Sequence, residues 1–229
     1  MDNQSSSPFD GSVGRGWFSR IELRHQSGSE KMLARILDDG YQQHQLIWRL
    51  FDHPSREKRN FLYRAIEGVE LLGYFTVSST PPLDRDGIWD IVSKEYLPRL
   101  SAGEKLRFSI RANPVVTRKQ TPHGKGRRHD VVMDAKKHPR DGSDPLDMGK
   151  QWLINRAQRH GFNVDHLVVD GYQQHRYHQR SRGPEIRFST LDFDGWLTVT
   201  HPETLTRTLL QGIGPAKGFG CGLLLVRRP

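Results

Sequence analysis

Cysteine is almost absent from this 229-residue chain: Cys221 stands alone, so no internal disulfide can form. Long apolar runs are absent too. The longest is Gly222 to Val226, preceded by Cys221, far short of the roughly 18 to 20 residues that cross a bilayer, and no membrane partner is expected. The opening residues MDNQSSSPFDGSVGRG carry Ser, Gly and Asp where a signal peptide places a basic residue and an apolar core. A cytoplasmic protein with residues 1–16 as a flexible tail is therefore expected. Metal-ligating patterns are missing as well: there is no Cys pair, no HExxH and no aspartate cluster. No metal and no cofactor are expected, and two-metal nuclease chemistry is disfavoured.

Negative charge is scarce next. The chain has 26 Asp+Glu against 35 Lys+Arg, a formal net charge of +9. Five Trp, ten Phe and six Tyr are spread along it, which argues for a folded protein. The basic excess is concentrated. Arg107, Arg111, Arg118, Lys119, Lys125, Arg127, Arg128, Lys136, Lys137 and Arg140 face only Asp130 and Asp134 in their stretch. A second run, Arg176, Arg180, Arg182 and Arg187, faces only Glu185. Clustered charge of one sign is the footprint of a polyanion partner.

The hydrophobic period gives a repeating order of elements. Trp17 to Arg24 alternates as a strand, and helical spacing runs from Ser29 to about Phe51. Phe61 to Glu67 and Glu70 to Ser78 read as a hairpin, Asp86 to Tyr96 as a short helix, and Glu104 to Ala112 as a strand. After the basic stretch, Val131 to Met133 reads as a strand and Asp144 to His160 as a helix ended by Gly161. Val164 to Tyr177 and Glu185 to Thr200 form a long hairpin, Pro202 to Gln211 a helix, and Cys221 to Val226 a closing strand. The order β-α-β-β-α-β occurs twice. An α+β protein of two tandem ferredoxin-like units follows, one over 17–114, a basic linker over 115–129, and a second unit over 130–229 with a glycine-rich loop at 212–222.

That loop, Gly212 to Gly222, holds Gly212, Gly214, Gly218, Gly220 and Lys217. It follows a helix and precedes a strand, the reverse of a nucleotide-binding turn. Glycines let backbone N–H groups approach phosphates closely, so an RNA-facing loop is expected. The segment Tyr41-Gln-Gln-His44 lies on the first helix, where Tyr41, His44 and Trp48 share a face apart from Leu46 and Leu50. Histidine exchanges protons near neutral pH, and a phenol can hydrogen-bond a developing oxyanion. The same four letters recur at Tyr172-Gln-Gln-His175, but on a strand, where residues three apart point to opposite faces. That copy is read as coincidence.

The opening strand WFSRIEL, the helix YQQHQLIWRLF at 41–51, the strand end RFSIRANP at 107–114 and the C-terminal GIGPAKGFGCGLLLV at 212–226 together resemble a known family. They are similar, in order, to the CRISPR RNA-processing endoribonucleases of the type I-E Cascade system, the CasE family of the RAMP superfamily. The resemblance covers the chain from about residue 17 to its end. It implies a metal-independent cut on the 3′ side of a CRISPR repeat hairpin, with the RNA's own 2′-hydroxyl as nucleophile. A 2′,3′-cyclic phosphate and a 5′-hydroxyl would result.

The family's catalytic histidine falls on His44, its tyrosine on Tyr41, and a variable position that can carry a base on Arg49. RNA contacts are expected from Arg107, Arg111, Arg118, Lys119, Lys125, Arg127, Arg128, Arg176, Arg180 and Arg182, and from Gly212, Gly214, Lys217, Gly218 and Gly220. The partners implied are the repeat RNA hairpin, as precursor and mature RNA, and other Cascade subunits. The residues before Trp17 and the insertion from Gln120 to His129 depart from the family pattern. A non-catalytic module that binds RNA hairpins is the alternative.

Overall fold

The computed structural model describes residues 15–24, 40–51, 59–66, 72–118, 126–138, 144–178 and 185–229. Strands β1 (Gly16–Leu23), β2 (Phe61–Ala65), β3 (Gly73–Ser78) and β4 (Trp89–Tyr96) form one antiparallel sheet in the order β2-β3-β1-β4. Helix α1 (Gly40–Trp48) lies between β1 and β2 in sequence. Ile47, Leu50 and Phe51 are buried with Ile21, Phe61, Tyr74 and Trp89, which places α1 against one sheet face. The earlier part of the expected first helix lies outside the described residues.

The second sheet runs β10-β5-β9-β8, built from β5 (Lys105–Ala112), β8 (Phe162–His178), β9 (Glu185–Val199) and β10 (Leu224–Arg227). Between β5 and β8 come the hairpin β6 (Val115–Arg118) and β7 (Arg127–Asp130), then α2 (Val131–Lys137) and α3 (Pro145–Ala157); α4 (Pro202–Gln211) links β9 to β10. Both sheets have the strand order of a ferredoxin-like fold, with every neighbour antiparallel. Leu106, Phe108, Ile110 and Ala112 of β5 are buried with Trp152, Leu153, Leu205 and Leu209 from α3 and α4. The opposite sheet faces meet: Leu62 and Val77 are buried with Leu210 and Leu223, flanked by Phe18, Phe75 and Leu225.

Three expectations are corrected. Residues 86–96 are not a helix, because Trp89, Ile91, Val92 and Tyr96 are strand formers that complete the first sheet beside β1. The turn ahead of them is held by Asp84, which accepts from the N–H groups of Gly87 at 2.9 Å, Ile88 at 3.3 Å and Trp89 at 2.9 Å. A loop thus stands where a second helix was expected. Residues 105–112 are a strand, as read, but one that pairs with β9 and β10, so the sheets divide between Tyr96 and Lys105 and not at 114. Val131 to Met133 opens a helix, since Asp130 is its N-cap and accepts from Val132 at 2.8 Å and Met133 at 3.0 Å. The basic linker is partly the β6–β7 hairpin, whose 119–125 tip lies outside the described residues.

Candidate active site

Helix α1 carries Tyr41, His44 and Trp48 along one face, and with Gln45 and Arg49 they line a groove of about 380 Å³. The His44 ring lies 5.9 Å from Tyr41 and 5.1 Å from Trp48. On its other side Phe219 stacks at 4.7 Å and 21°. Phe219 ends a 3₁₀ turn, Lys217–Phe219, inside the glycine-rich loop. The two halves of the molecule therefore meet on this histidine.

The loop grips the ring through one atom. The Gly218 carbonyl oxygen is hydrogen-bonded by His44 Nδ1, and Tyr63 Oη donates to it at 2.9 Å. A carbonyl oxygen can only accept, so Nδ1 carries the proton and Nε2 of the neutral ring keeps a free lone pair. Burial lowers the His44 pKa, the Gly218 hydrogen bond opposes that, and the Arg59 charge lowers it further. The net direction favours the neutral, proton-accepting imidazole. Tyr63 is itself raised well above the usual phenol range by burial, so it remains a donor.

Glycine is required where the loop closes on itself. Ile213 N donates to Gly222 O at 2.9 Å and Gly222 N to Arg111 O at 2.7 Å. Gly212 and Gly222 have φ of +74° and +87°, and a Cβ on either would lie 2.7 Å from a backbone carbonyl oxygen. Gly214 and Gly220 back onto Trp152 and Tyr63. These four glycines pack against protein, whereas Gly218 meets His44. Lys217 Nζ donates to Gln211 O at 2.7 Å, and burial, then Arg59, depresses it to about 8.

The other expected residues scatter. Arg49 rims the groove, exposed, 3.9 Å from Asp86. Arg107 lies over the Trp196 ring at 5.4 Å in the cleft between the sheets. Arg111 is bidentate on Asp192 at 2.8 and 2.6 Å, an internal ion pair that Arg64 joins at 3.6 Å. Arg118 pairs with Asp134 at 2.7 Å, while Arg127 and Arg128 are exposed on β7. Arg176 is exposed on β8, opposite Arg187. Lys119, Lys125, Arg180 and Arg182 lie outside the described residues.

The second YQQH behaves as its strand dictates. Tyr172 Oη donates to Asp130 at 3.0 Å, while His175 bonds Thr190 Oγ1 at 2.9 Å and stacks on Phe188 at 4.8 Å. Phe188 lies 5.3 Å from Phe219, so His175 joins the same aromatic ridge as His44 from its far end. Arg59, Tyr63 and Phe219 escaped the sequence reading. Nothing local marks them, since each is defined by a partner distant in the chain.

Two ferredoxin-like units that meet where the glycine-rich loop holds His44 define an α+β protein of two antiparallel sheets. The family model for CRISPR associated protein matches residues 17–228. The chain belongs to that family. It is 27% identical over 210 residues to the CRISPR system Cascade subunit CasE of Escherichia coli K12, covering 86% of this chain and 96% of that protein. It is also 27% identical over 206 residues to the CRISPR-associated endoribonuclease Cse3 of Thermus thermophilus, covering 86% and 85%. Among solved structures, Thermus thermophilus Cse3 bound to an RNA representing a pre-cleavage complex matches with a TM-score of 0.70 at 24% identity, covering 93% of this chain and 99% of that one. Cas6e of Escherichia coli K-12 matches with a TM-score of 0.63 at 23% identity, covering 93% and 100%. The fold is that of these proteins.

Proposed function

We propose that this chain is a metal-independent endoribonuclease that binds a CRISPR repeat hairpin and cuts the precursor RNA on the 3′ side of the stem. The observation that carries the reading is His44, held through Nδ1 by the Gly218 carbonyl with Nε2 left as a base in a groove lined by Tyr41 and Trp48. Nε2 takes the proton of the RNA 2′-hydroxyl. The 2′-oxygen attacks the adjacent phosphorus, the bond from phosphorus to the 5′-oxygen breaks, and that oxygen takes a proton from water in the open groove, while the His44 imidazolium returns its proton to solvent. The products are a 2′,3′-cyclic phosphate and a 5′-hydroxyl. Tyr41, on the same helix face, hydrogen-bonds the charge that builds on the phosphoryl oxygens.

Among the described residues no three His, Cys, Asp or Glu side chains gather as a cation site, and the mechanism asks for none. Arg127, Arg128 and Arg176 are exposed, and exposed basic side chains track A-form phosphates by charge and shape. The relatives named as a Cascade subunit and an endoribonuclease support retention of the mature RNA in a Cascade assembly, in the cytoplasm where the transcript is made. No described helix is long and apolar enough to cross a membrane. Labelled hairpin RNA incubated with the protein in EDTA, with mass analysis of the new ends, tests the reading. Cyclic phosphate ends support it; a gel shift without cleavage assigns the non-catalytic binding module, and a strict requirement for Mg²⁺ or Mn²⁺ in the chemical step overturns the mechanism.

A further inference from the structure

Arg59 is the cation that the site leaves unanswered. It precedes β2, and among the described residues only its Nε is engaged, donating to Phe61 O. The other arginines drawn inward have partners for their Nη groups: Arg64 and Arg111 share Asp192, and Arg156 donates to Trp152 O and Val115 O. No described carboxylate or carbonyl takes the Nη groups of Arg59. Its guanidinium is nevertheless half-buried, and burial brings it down to about 10. A half-buried cation without a counter-charge is costly to hold, and an arriving anion offsets that cost.

The position of that anion follows from Gly218. A Cβ built there would lie 3.6 Å from His44 Cε1 and 3.7 Å from Arg59 Nη1. The imidazole and the guanidinium thus flank one methyl-sized spot. Lys217, the preceding residue in the chain, adds a second cation within electrostatic reach of Arg59, and its ammonium has no carboxylate partner among the described residues. Arg49, the cation that sequence pattern offered, sits on the outer rim and faces Asp86.

We propose that Arg59, supported by Lys217, binds the phosphate that His44 acts on, and is the cationic group opposite the histidine in the reaction. The proposal rests on the cleavage reading of this site. The guanidinium fork holds a non-bridging phosphoryl oxygen over Gly218, neutralises the charge gained as the fifth bond to phosphorus forms, and biases His44 toward its neutral form before RNA arrives.

Single-turnover cleavage by Arg59→Gln and Gly218→Ala tests it. Arg59→Gln should cut roughly 100- to 1,000-fold more slowly, the usual loss for one donor aimed at a developing oxyanion. Free guanidinium should restore part of that rate, and the acid limb of the pH profile should move up as the charge beside His44 is lost. Gly218→Ala places its methyl in ordinary contact distance and so folds, but fills the spot and slows cleavage without altering affinity for the stem. Arg59→Lys keeps stem and charge and should retain the wild-type acid limb, which holds the test open where Arg59→Gln fails to fold. Wild-type rates in Arg59→Gln, or a loss in folded protein that guanidinium does not restore, overturn the proposal while leaving the endoribonuclease reading intact. A wild type that binds without cutting defeats that reading instead. In that case Arg59→Gln must still weaken a hairpin carrying the phosphate 3′ of the stem more than one ending before it, and equal weakening overturns the phosphate site.

Discussion

The chain spells Tyr-Gln-Gln-His twice, at 41–44 and at 172–175, and the two copies show how little a motif means without its backbone. On α1 the tyrosine and histidine rings stand 5.9 Å apart over one groove. On β8 they part, Tyr172 to Asp130 near α2 and His175 to Thr190 and Phe188. Helical period returns residues three apart to one face, and strand period sends them to opposite faces. Burial lowers both histidines, so proton affinity alone does not separate them. Only the first is oriented by a loop carbonyl beside an open groove.

The largest expected effect sets the copies directly against each other. His44→Ala should slow single-turnover cleavage roughly 100- to 10,000-fold, the range for a lost general acid or base, with hairpin affinity held within a few-fold. Comparable loss in His175→Ala with activity kept in His44→Ala would reverse the assignment. Affinity itself should fall about a hundredfold between 50 and 200 mM salt if roughly four phosphates are contacted by the exposed basic residues, as a filter-binding titration reads. A flat response would remove the polyanion argument from both copies.

Tyr41→Phe removes one hydroxyl and should cost about tenfold in rate, since one hydrogen bond in an open groove contributes about 1 to 1.5 kcal/mol. Tyr172→Phe should leave the rate unchanged, and its loss would appear in thermal stability through the bond to Asp130. The pH profile sharpens the comparison further. With the His44 pKa lowered, the base is already free at neutral pH, so the rate should be level there and fall only as pH drops through a value under 6.5. An acid limb above 6.5 would mean that the Gly218 bond outweighs burial. His175→Ala should change the rate by no more than about threefold, the smallest effect.

Much of the fold was legible because its signals are local. The β2–β3 and β8–β9 hairpins alternate clearly, Pro202 starts α4, and Gly161 at φ +84° stops the 3₁₀ turn after α3. Residues 86–96 misled because Ile88, Ile91 and Val92 fit a helical stripe as well as a strand; the open edge of β1 decided between them. In the same way Val131 and Val132 look like strand until Asp130 caps the helix they begin. The alternation of residues 105–112 was correct, yet which sheet receives a strand depends on partners far along the chain. The glycine-rich loop was legible as a special segment, but only packing separated Gly212 and Gly222, which close it, from Gly218, which holds His44.

The amino-acid sequence by itself determined the class of the protein: an α+β chain of two sheets, a basic surplus, a helical Tyr41–His44 pair and a glycine-rich turn before the last strand. Period, charge and turn chemistry are properties of neighbours in the chain, and they can be read there. The tertiary structure alone decided what surrounds the histidine. Gly218 lies 174 residues beyond His44, Tyr63 reaches the same carbonyl from another strand, and Arg59 stands across one methyl-sized spot. Proton position, ring orientation and the cation that flanks the ring are set by contacts between segments that no local pattern connects, because they exist only once the two sheets pack together.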